Sequence, residues 1–96
     1  MTASASRFWI GEMVRVAVVF TDLAGAPMAP LGVQIRARKP DGTVHSYAVL
    51  DGALPSEKGA DIAADQAGSW YVRASCAGPT PAAVEATFTV AASEVI

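Results

Sequence analysis

A chain of 96 residues has room for one domain and none for a second catalytic lobe, and 52% hydrophobic against 17% charged residues is the make-up of a packed globule. The formal net charge of -2 removes the broad positive field that non-specific nucleic-acid binding needs, so no nucleic-acid partner is expected. The lone Cys76 permits no internal disulfide, residues 1–6 lack the basic and apolar regions of a signal peptide, and the apolar run at residues 16–20 is too short to cross a bilayer, so neither classical secretion nor a membrane is expected.

Phe8 and Trp9 come first along the chain, and two aromatics are costly to leave in water. Two outcomes are open: they fold back over their own domain, or they belong to an arm that grips a neighbour. Residues 1–11 are set apart on that ground as an N-terminal arm. In residues 12–20, Val14, Val16, Val18 and Phe20 share one parity, the period-two pattern of a strand that buries one face. Residues 21–30 collect Asp22, Gly25, Pro27 and Pro30, which predicts a loop and leaves Leu23 and Met28 as its apolar contacts. A methionine there either offers an adaptable contact or caps the end of the domain.

Residues 31–38 alternate again, Val33, Ile35 and Ala37 against Gln34, Arg36 and Arg38. Lys39-Pro40-Asp41-Gly42-Thr43 then places proline where φ near -65° is wanted and glycine where a positive φ is wanted, a hairpin connection. Residues 43–50 should return antiparallel, with the inward face undecided: Val44 and Leu50 lie on one parity, Tyr47 and Val49 on the other. A polar connection (51–58), a short strand (59–64) and a turn at Asp65-Gln66-Ala67-Gly68 follow. Residues 69–76 form a central strand with Trp70, Val72, Ala74 and Cys76 inward, and after a Gly/Pro break Val84, Ala86, Phe88 and Val90 line the last strand. Residues 92–96 are a tail.

No segment sustains helical spacing. Short strands at hairpin intervals predict an all-β fold, a small immunoglobulin-like β-sandwich of about six to seven antiparallel strands over residues 12–91. A nucleophile with its base, or a metal with its ligands, needs several side chains converging, and the supply is thin: His45 and Cys76 are each the only residue of their type. The aspartates fall in or beside turns, where a carboxylate accepts backbone hydrogen bonds. No catalytic residue, metal or cofactor is expected. Arg36, Arg38 and Lys39 form an outward basic cluster that would suit an acidic partner or DNA, with a solvated face the ordinary use of three such charges. Contact residues are Phe8, Trp9, Leu23 and Met28, and an exposed tyrosine, Tyr47 or Tyr71, would suit the alternative of a carbohydrate- or surface-binding module.

The stretches IGEMVRVAVVFTDLAGAPMAP, VQIRARKPDGTVHSYAV and DIAADQAGSWYVRASC resemble a family of short immunoglobulin-like proteins encoded among the structural genes of tailed bacteriophages and gene transfer agents. The likeness spans residues 10–90. It rests on Gly11-Glu12 before the first strand, the Pro-rich loop 27–30, the hairpin 40–43, and Asp65, Gly68 and Trp70 leading the late strand. The resemblance implies a virion component made in the bacterial cytoplasm: a head decoration, fibre base, or neck or tail piece. Its partners would be capsid, neck or tail subunits, with the chain itself a homo-oligomer or present in many copies on a symmetric particle.

Overall fold

Alternation in the sequence becomes eight strands: β1 (Arg7–Trp9), β2 (Met13–Val19), β3 (Gln34–Arg38), β4 (Val44–Tyr47), β5 (Leu50–Asp51), β6 (Glu57–Ala63), β7 (Gly68–Cys76) and β8 (Ala82–Ala91). They come from a computed structural model that describes residues 7–95, among which there is no helix. Val14, Val16 and Val18 of β2 are buried while Met13, Arg15 and Val19 are exposed, because successive side chains of an extended chain point to opposite faces. β3 buries Ile35 and Ala37 by the same rule, and β7 buries Trp70, Val72, Ala74 and Cys76.

A five-stranded sheet runs in the order β1-β8-β7-β3-β4, and a three-stranded one in the order β2-β6-β5. Every paired neighbour is antiparallel except β1, which lies parallel to β8. The second, sixth and fifth strands on one side and the third, seventh and eighth on the other are the connectivity of an immunoglobulin-type sandwich. Six strands are those the alternation predicts. The other two, β1 and β5, hold three and two residues, too few to print a period on the sequence.

The two parities of residues 43–50 are two sheets. β4 pairs with β3 as far as Tyr47, and the chain then crosses so that Leu50 and Asp51 pair with Gly59 and Lys58 of β6. The segment expected as an arm also contributes to the sandwich: Arg7, Phe8 and Trp9 are in register with Thr89, Val90 and Ala91. Residues 1–6 and 96 lie outside the described residues.

At the centre, Trp70 is fully buried and stacks on Phe88, ring centroids 5.5 Å apart, and Phe8 meets Phe88 edge-on at 5.6 Å. Burying roughly 200 Å² of indole at about 25 cal/mol per Å² contributes about 5 kcal/mol. The indole N–H donates to the Gln66 carbonyl at 2.9 Å. Trp70 thus does for the corner before β7 what a tyrosine hydroxyl does in the tyrosine corner of immunoglobulin domains.

The hairpin and this corner interlock. Gly42 takes φ 90°, the Lys39 N–H donates to the Thr43 carbonyl at 2.8 Å, and the Asp41 carboxylate accepts the Thr43 N–H at 2.8 Å. Across the gap, Lys39 pairs with Asp65 at 2.8 Å and the Gln66 amide donates to Asp41 at 2.9 Å. Pro40 packs where Gly68 lacks a side chain, since a Cβ there would fall 2.9 Å from the proline ring. The motif residues 40–43, 65, 68 and 70 therefore close one end of the core.

Candidate functional site

The four expected contact residues divide between opposite ends of the sandwich. Near one end of β2 the Gly11 N–H donates to Ala64, and past the other end the Phe20 N–H donates to Ser56. A strand of this length spans about 23 Å, so the Phe8 and Trp9 pair and the Leu23 and Met28 pair build no common site. Phe8 is half-buried against the core, whereas Trp9 is 53% exposed. At the far end Asp22 accepts the N–H groups of Ala24 and Ala26 in a tight turn, which throws Leu23 into solvent at 95% exposure. Met28 is buried: its N–H donates to the Phe20 carbonyl, and its sulfur accepts the Thr80 N–H at 3.4 Å. Of the two uses open to it, this methionine serves as the cap.

His45 is exposed on β4, and Cys76 is buried on β7 with its thiol donating to the Thr80 carbonyl at 3.5 Å. His45 is in register with Ala37, and Ala37 with Val72, so the histidine sits well along the sheet from Cys76. Among the described residues no three His, Cys, Asp or Glu side chains converge as a metal site, and no helix is long and apolar enough to cross a membrane. Tyr47 is half-buried, and loss of solvent pushes its phenol up. The turn and sheet carboxylates are engaged: the Thr43 N–H holds Asp41 below the ordinary carboxylate range, Lys58 does the same to Asp51, and Arg15 to Asp61.

The outer face of the five-stranded sheet forms a surface of which the sequence shows only separate parts, Arg36 with Arg38 and the exposed Tyr71. Register places Arg36 beside Arg73 and Arg73 beside Glu85, while the next row runs Arg38, Tyr71 and Thr87. Farther along, β1 adds Arg7 next to Thr89, and then Trp9. The Arg38 guanidinium lies over the Tyr71 ring, 4.9 Å from its centroid, and that of Arg7 lies 5.9 Å from the Trp9 ring. Between the two rows is a shallow depression of about 390 Å³ lined by Arg36, Arg38, Val44, Tyr71, Arg73 and Glu85. Arg36 and Arg38 are visible in the sequence as a local cluster; Arg7 and Arg73 join them only through strand order. Lys39 leaves the cluster, its ammonium lying 5.6 Å from the Trp70 ring and bonded to Asp65, which raises its pKa.

Compared with known proteins, the chain matches no family model and no curated protein.

Proposed function

We propose that this chain works by contact, as a non-enzymatic structural protein of a tailed-phage-like particle that docks on capsid or neck subunits. The observation that carries the reading is the ordered set of Gly11-Glu12, the loop 27–30, the hairpin 40–43 and the corner of Asp65, Gly68 and Trp70, which resembles the immunoglobulin-like virion proteins. An immunoglobulin-type sandwich in which the motif residues 40–43, 65, 68 and 70 close one end of the core supports it. A protein repeated under symmetry holds by many modest contacts, so each copy can be small. The test is a mass-spectrometric inventory of tailed particles purified from cells that carry the gene. The chain is expected at a fixed number of copies per particle, and its absence from particles that contain every other structural protein would overturn the proposal.

Tyr71, 47% exposed on the sheet face, supports a second reading as a carbohydrate-binding module. A sugar stacking on the ring face that Arg38 covers would have to displace the guanidinium. Glycan binding that disappears in Tyr71→Ala would favour that reading over the first.

A further inference from the structure

We propose that this protein holds its partner with the outer face of the five-stranded sheet, and that the partner's matching surface is an acidic protein surface, rich in carboxylates. The inference rests on the reading that the chain works by contact and is independent of which particle it belongs to.

The seven cations fall into two groups. Arg15, Lys39 and Lys58 lie off this face, each within 2.6 to 2.8 Å of a carboxylate, Asp61, Asp65 and Asp51 respectively. All four remaining guanidiniums are on the face. Arg73 meets Glu85 at 3.0 Å, and among the described residues Arg7, Arg36 and Arg38 have no carboxylate partner. Along the paired strand positions of the face, four guanidiniums stand against Glu85, a sum of +3 in a chain whose total is -2, with Glu12 and Glu94 at the outer edge beside Trp9. Arg36 and Arg73 stand directly opposite each other across β3 and β7, an arrangement that destabilises a strand pair. Stability alone gives no reason to collect these cations in adjacent rows of one sheet.

Stacking of Arg38 on Tyr71 and of Arg7 near Trp9 restricts the long side chains and leaves their N–H edges to grip carboxylates in pairs, the geometry for which arginine surpasses lysine. Exposed Trp, Tyr and Arg together are also the residues that dominate protein interfaces. A nucleic acid is the weaker fit, because both lysines are paired off this face and nothing extends its basic field along a phosphate backbone.

The experiment uses poly-L-glutamate as the acidic-protein probe and a single-stranded oligonucleotide of equal charge as the competitor, with binding followed by titration and by amide shifts of the full chain at low and physiological salt. Two neutralised variants with equal loss of charge are compared, R36Q/R38Q on the face and R15Q/K58Q off it. The expected result is saturable, salt-sensitive poly-L-glutamate binding that moves amides of β3 and β7, weakens at least tenfold in R36Q/R38Q and stays within twofold in R15Q/K58Q. Absence of binding at low salt, equal weakening in both variants, or tighter binding of the oligonucleotide would each overturn the proposal. None of these results bears on whether the chain is found in particles, so the two readings fail separately.

Discussion

Replacing Trp70 with Phe tests whether the corner before β7 is held as described. Trp70→Phe keeps an aromatic ring against Phe88 but removes about three heavy atoms from a fully buried side chain, a loss of about 2 kcal/mol at ~0.8 kcal/mol per methylene-sized group. The Gln66 carbonyl also loses the indole N–H that it accepts at 2.9 Å, which costs about 1 kcal/mol more. The sum, about 3 kcal/mol, is a large part of the stability of a small domain and corresponds to a fall in Tm of about 15 °C. Thermal unfolding followed by circular dichroism at neutral pH measures it, with Tyr71→Phe on the exposed face as the reference, expected within about 0.5 kcal/mol of the parent. A fall of less than about 5 °C, or one no larger than that of Tyr71→Phe, would refute the role given to the indole.

Gly42→Ala forces a side chain into φ 90° with open space around the added methyl, so it should cost about 1–2 kcal/mol from backbone strain alone in denaturant titration. Phe8→Ala should cost about 2 kcal/mol or more because the ring packs on Phe88, whereas Trp9→Ala, exposed at the same edge, should stay within about 0.5 kcal/mol; equal effects would contradict the placement of β1. Asp41, Asp51 and Asp61 are held below their ordinary values, so their contribution is present above about pH 4 and is lost as pH falls through the folded-state values. The raised Lys39 acts in the other direction, contributing fully below about pH 10.4 and losing that contribution as pH rises through its folded-state value. Tm measured against pH should therefore be flat from about pH 5 to 9 and fall on both sides, and a rise below pH 4 would contradict the carboxylate assignments.

Much of the sandwich is written in the parity of its side chains. Val14, Val16 and Val18, Ile35 and Ala37, and Trp70 to Cys76 point inward because a strand that covers one core has no other way to place alternate residues. Residues 43–50 resist such reading because the chain changes sheets between Tyr47 and Leu50, and each sheet imposes its own parity. β1 leaves no local signal: three residues pair with a strand some eighty positions later. Composition alone does not distinguish a loop methionine in solvent from one in the core, and what seats Met28 is hydrogen bonding to Phe20 and Thr80 from distant parts of the chain. The arginine face is hidden for the same reason, since β3, β7, β8 and β1 become neighbours only through strand order. Arg36 and Arg38 by themselves look like an ordinary solvated edge.

The most direct measurement is covalent side-chain labelling of this chain within purified tailed particles, quantified against the free protein. Working by contact through the five-stranded sheet predicts that Arg36, Arg38, Tyr71 and Trp9 lose reactivity on assembly while Arg15, on the other sheet, keeps its own. Labelling identical in the two states, or protection confined to the Leu23 end, would contradict it.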